Sequence, residues 1–150
     1  MNNAIVVMAA ALAALLAGCG SVPSYTSNLP KNLEVATKLD SAKVALDVHR
    51  VNARCETEHL GRVNLDSTST QLGIPESRLY LDFIFVTGGL FSGTGTTRYS
   101  TLLTPRPGYE YRALATYQKG IYGVEIRETR KGTKQSRMID TAPLRDCRAG

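Results

Sequence analysis

The strongest signal along the chain is an alternation of period two. Tyr109, Tyr111, Ala113, Ala115 and Tyr117 share one parity, and Glu110, Arg112, Leu114 and Thr116 the other. A strand puts successive side chains on opposite faces, so this spacing predicts a half-buried strand. Gln118-Lys119-Gly120 predicts a turn, and Tyr122, Val124 and Ile126 alternate with Gly123, Glu125 and Arg127 on the return. RKGTK predicts a second hairpin turn, and SRMIDT closes the meander. Upstream, LYLDFIFV (79–86) is the most apolar run after the amino-terminal stretch and predicts a central strand. GGLFSGTG then reads as a connection, followed by a strand TRYSTLLT (97–104) and a turn forced by Pro105, Pro107 and Gly108.

Between residues 33 and 66 the pattern is less even. Val35, Leu39, Ala42 and Leu46 recur at helical spacing, whereas Val44, Leu46 and Val48 alternate as in a strand. The reading adopted is a short element ending near Leu39, then a strand from about Lys43 to Glu56. A turn at His59-Leu60-Gly61 leads into RVNLD, and STSTQLGIPES follows as a polar loop. Thr141-Ala142-Pro143-Leu144 has the residues of a helix start, with Thr as cap and Pro in the first turn. About seven strands joined by short Gly-containing turns predict an all-β domain, a small antiparallel β-sandwich, with a closed β-barrel as the alternative.

The first residues follow a different rule. Residues 4–17, AIVVMAAALAALLA, carry no charge and no proline. As a helix they would rise roughly 21 Å, short of a ~30 Å hydrocarbon core, which suits the apolar region of a secretory signal. The run ends in Leu16-Ala17-Gly18-Cys19. These four residues resemble the lipobox of bacterial lipoproteins, although the leader MNN lacks the usual basic residue. The resemblance implies a signal peptide over 1–18, cleavage before Cys19, and acylation of the Cys19 thiol and the new amino terminus. Gly20 stands where aspartate would favour inner-membrane retention, so the implied location is the periplasmic side of the cell outer membrane, with the outer leaflet of the inner membrane as alternative.

The same resemblance resolves an odd cysteine count. With Cys19 lipidated, Cys55 and Cys147 are left to pair in an oxidising compartment. Residues 19–32, rich in Ser, Pro and Asn, then read as the lipidated terminus and a flexible tether, and 33–150 as the sandwich domain.

Charge is uneven. From Lys31 to Arg98 eight basic residues balance eight acidic ones, whereas from Arg106 to Arg148 ten face five. That excess suits either a solvated surface or one that meets anions. Nucleic acid is not expected as a partner outside the cytoplasm.

The sequence offers no reactive constellation. HRVNARCETEH holds both histidines and Cys55, but on an extended strand His49 and His59 would lie ~20 Å and ~13 Å from Cys55, so no metal site is expected. Gly88, Gly89, Gly93 and Gly95 match neither the Walker nor the dinucleotide pattern, so no cofactor is expected. Ser92 is not in a nucleophile elbow, and Glu56 and Glu58 beside Arg54 and Arg62 read as a surface charge ladder. Hence no catalytic residue is assigned. Leu90 and Phe91 with Tyr109, Tyr111 and Tyr117 form a possible binding surface if exposed, and core if buried. The expectation is a lipid-anchored, non-enzymatic accessory or binding module whose partner is an envelope protein or peptidoglycan. The alternative is a periplasmic inhibitor or a carrier of a small ligand or glycan.

Overall fold

A computed structural model describes residues 20–89 and 93–149. The leader with Cys19, and Leu90 and Phe91, lie outside the described residues. Among the described residues nine strands follow in chain order: β1 (Leu33–Leu39), β2 (Ala42–Val51), β3 (Thr57–Asn64), β4 (Ser69–Leu72), β5 (Leu79–Gly89), β6 (Gly93–Leu103), β7 (Tyr109–Gln118), β8 (Ile121–Arg130) and β9 (Ser136–Ile139). A short 3₁₀ helix spans Leu144–Ala149. Among the described residues no helix is long and apolar enough to cross a membrane.

The strands form two open sheets, ordered β4-β1-β7-β8-β9 and β3-β2-β5-β6, so the fold is a β-sandwich rather than a closed barrel. Every neighbouring pair is antiparallel except β1 and β7, which run parallel from Leu33 beside Tyr111 to Leu39 beside Tyr117. The chain changes sheet between β1 and β2, at a corner where Ser41 has φ 55°. That corner explains the mixed period around residue 39: two strands of different sheets meet there, and their summed spacing imitates a helix. Leu33 and Val35 from one sheet meet Val44, Leu46, Val48, Leu81, Phe83 and Phe85 from the other, all nearly or fully buried.

Other boundaries also differ from expectation. β2 ends at Val51 rather than Glu56, because Asn52 organises a turn. Its side-chain oxygen accepts hydrogen bonds from the backbone N–H groups of Arg54 (2.9 Å) and Glu56 (3.0 Å), and Cys55 takes φ 64°. Asn and Asp favour such turns by offering their own side chain to the backbone. His59-Leu60-Gly61 is not a turn but part of β3, and the irregularity there is a bulge. Val48 sits beside Gly61 and His49 beside His59, leaving Leu60 over. The polar stretch after it contains β4, and the glycine-rich stretch is largely the β5–β6 hairpin. The final helix begins at Leu144, after Pro143 rather than at Thr141.

Residues read as a tether are part of the domain from Pro23 onward. The N–H of Arg62 donates to Pro23 O (2.8 Å), and the N–H of Tyr25 donates to Arg62 O (2.9 Å). The Tyr25 hydroxyl donates to Gly73 O (2.8 Å), and the Asn32 side chain both donates to and accepts from the backbone of Ile74. Two glycines make room for this segment. A Cβ on Gly61 would lie 2.5 Å from the Tyr25 backbone, and one on Gly73 would lie 2.3 Å from Leu29 O. The segment thus covers the side of the sandwich between edge strands β3 and β4, which blunts an otherwise open edge.

Candidate functional site

Cys55 and Cys147 are bonded, with Cα atoms 5.8 Å apart. The bridge joins the Asn52 turn to the carboxy-terminal helix, and Arg78 Nη1 donates to Cys147 O (2.6 Å) beside it. The loops around 73–78, 104–108 and 131–135 gather at this same end of the sandwich, because β1, β5 and β7 all start there.

That end carries a polar cleft of about 760 Å³ lined by Arg106, Tyr109, Glu128, Arg130, Thr133, Gln135, Ser136 and Arg137. Glu128 is its centre. It has the parity of Val124 and Ile126, so β8 aims it at the interior, and it is only 5% exposed. A lone buried carboxylate is costly, and two cations answer it. Arg106 Nη2 donates to Glu128 Oε1 at 2.6 Å, and Arg137 donates to the same oxygen through Nε (2.9 Å) and Nη2. Burial pushes the Glu128 carboxyl up, but the hydrogen bonds from Arg106 and Arg137 outweigh it and hold the group below its ordinary value. The Arg106 guanidinium also lies 4.0 Å from the centre of the Tyr109 ring, a cation–π contact. Three arginines against one glutamate leave the cleft positive.

Glu128→Gln is expected to lower stability by about 1–2 kcal/mol at neutral pH, discounted because both arginine partners are largely solvated. Since the folded-state carboxyl is more acidic than its unfolded counterpart near 4.3, the contribution is full above that value and is lost as pH falls through the folded value. Urea titrations from pH 7 to pH 3 should therefore show the two proteins converging at the acid end.

The second polar grouping lies on the outer face of the four-stranded sheet. Across the strands, Arg62, Asp47, Asp82 and Ser100 form one row, and His59, His49 and Tyr80 the next. Asp47 and Asp82 are almost fully buried. Arg62 grips Asp47 through Nε (2.7 Å) and Nη2 (2.8 Å), while Asp82 accepts from Arg98 Nη1 (2.5 Å) and Ser100 Oγ (2.7 Å). The hydrogen bonds from Arg62 lower the Asp47 carboxyl, and burial, aided by His59, lowers the His49 imidazole. His59 Nε2 stands 3.5 Å from Asp47 Oδ1, and the two imidazole centroids are 4.9 Å apart.

The distance reasoning considered each histidine only against Cys55, which is in the disulfide, whereas the hairpin places the two histidines side by side with Asp47. The charge ladder is also rearranged. Glu58 pairs with Arg50 (3.1 Å) and Glu56 with Arg54 (3.2 Å), while Arg62 belongs to Asp47. The tyrosines do not form one exposed surface. Tyr111 is core, its hydroxyl accepting the Arg106 N–H (2.9 Å), and Tyr117 is half-buried on the same core-facing side. Tyr109 remains at the lip of the cleft. The arginine–glutamate centre was missed, although the parity of Glu128 with Val124 and Ile126 already marked a carboxylate turned inward.

Fold and sites together define a disulfide-closed β-sandwich with one basic cleft and one histidine-bearing sheet face. No protein-family model matches the chain, and no curated protein matches it. Among solved structures it is similar to transthyretin from Sparus aurata, at 12% identity and TM-score 0.48, over 67% of this chain and 99% of that one. It is likewise similar to sea bream transthyretin in complex with thyroxine, at 12% identity and TM-score 0.47, over 69% of this chain and 99% of that one.

Proposed function

We propose that this chain is a lipid-anchored, non-enzymatic binding module of a bacterial cell envelope, held on the periplasmic side of the outer membrane through acylated Cys19. The observation that carries the reading is the interval between the LAGC motif and the fold. Only Gly20, Ser21 and Val22 separate Cys19 from Pro23, whose carbonyl already bonds β3. Four Cα steps span at most about 14 Å, so acyl chains on Cys19 would hold the sandwich close against the headgroups. Val22 within that interval and Leu29 six residues beyond Pro23 are both exposed and apolar and suit a membrane interface.

The partner face is the basic cleft, where Arg106, Arg130 and Arg137 can meet carboxylates of an acidic envelope protein or of peptidoglycan. Cys19→Ser tests the anchor. Expressed in the native host, the wild type should partition into the detergent phase and label with palmitate, whereas Cys19→Ser should enter the aqueous phase unlabelled. Equal partitioning of the two would reject the anchor.

A further inference from the structure

We propose that Asp47, His49 and His59 form a binding site for one divalent transition-metal ion of the zinc and copper class. One ligand atom from each residue lies within 4.8 Å of the others. The assembly depends on the β3 bulge. In an unbroken strand His59 and Arg62, three residues apart, would face opposite sides. The extra residue Leu60 turns toward the core with Gly61, and His59 rejoins the face that holds Arg62, Asp47 and His49. Bulges recur where a strand re-aims a side chain.

The donor set favours a borderline metal over calcium or magnesium. Two imidazole nitrogens and one carboxylate oxygen suit zinc, copper and nickel, whereas the hard cations demand oxygen throughout. Metal–ligand bonds near 2.0–2.1 Å need donor atoms closer than they stand, a contraction on the order of 1 Å that rotation of the two partly solvated imidazoles can supply. Asp47 is already oriented. Arg62 takes one acceptor direction on each carboxylate oxygen, and a carboxylate offers about four in all, so Oδ1 keeps one free beside His59. Arg62 would then hold the ligating carboxylate in place from outside, as partners of metal ligands commonly do. Its charge also weakens attraction for a cation, and the neighbouring Asp82 is neutralised by Arg98. Micromolar rather than tighter affinity is expected, copper above zinc.

The test uses the full-length chain purified in detergent without a polyhistidine tag, stripped with a chelator and titrated with zinc chloride against a chromophoric competitor. One saturable equivalent is expected, with a matching visible absorption band on cobalt substitution. His49→Ala, His59→Ala and Asp47→Asn should each weaken zinc binding at least tenfold. His59→Gln serves as the exposed-site control for folding, since its unfolding midpoint without metal should match the wild type while zinc binding falls. Absence of one-to-one binding, undiminished binding in either histidine variant, or undiminished binding in Asp47→Asn would overturn the three-donor site.

Discussion

Cys147→Ser is expected to destabilise the oxidised protein by about 2–4 kcal/mol, the range usual for native bridges. The closed loop is long, 92 residues in separation, and the chain-entropy relation gives roughly 4.6 kcal/mol as the ceiling for such a loop. Part of the effect is local. The carboxy-terminal stretch touches the sandwich through few bonds: Ala142 O accepts from the Leu102 N–H (2.7 Å), the Ala142 N–H donates to Thr101 Oγ1 (3.0 Å), and Arg78 donates to Cys147 O. Without the bridge that stretch keeps these hydrogen bonds but loses its covalent link to the Asn52 turn. A Tm lower by on the order of 10 °C should be seen by calorimetry. Wild-type protein in reductant should fall to the same Tm as the variant, and a variant as stable as the oxidised protein would refute the estimate.

Gly61→Ala is expected to free the amino-terminal segment while leaving the two sheets in place. At φ 143° the position disfavours any residue with a Cβ, and the added carbon would stand 2.5 Å from both the Cα and the nitrogen of Tyr25. Backbone cannot rotate aside as a side-chain tip can, so the cheapest relief is to lose the pairing at Pro23 and Tyr25. A stability loss of about 2 kcal/mol is expected, within the range for a strained backbone position. Limited proteolysis should cleave the variant within residues 20–32 much faster than the wild type, with the remaining domain intact. Equal cleavage rates would show that the segment is not held by this contact.

The strand β5 was legible because LYLDFIFV is the most apolar run after the amino-terminal stretch, and β7 and β8 because both carry a period-two pattern around the explicit turn Gln118-Lys119-Gly120. A sheet buried on one face writes that face into every second residue. The β1–β2 region was harder, since adjacent strands in different sheets share no pattern across their corner at Ser41. The histidine pair was illegible for a sharper reason. Linear spacing along HRVNARCETEH measures an extended chain, whereas the Asn52 turn folds it back and the bulge at Leu60 reverses the parity of His59. Neither the turn type nor a single extra residue in a strand leaves a mark on the hydrophobic pattern.

By itself the sequence determined the all-β character and the central apolar strand, and the lipobox resemblance at Cys19 left Cys55 and Cys147 as the expected pair. These follow from side-chain alternation, turn chemistry and cysteine parity, which are properties of the chain read in order. Tertiary structure alone decided that Pro23–Asn32 belongs to the sandwich, that Glu128 gathers Arg106 and Arg137, and that Asp47, His49 and His59 share a face. Each of these joins residues through sheet register or a closing edge, and register is set by how whole strands pack rather than by the residues that end up as neighbours.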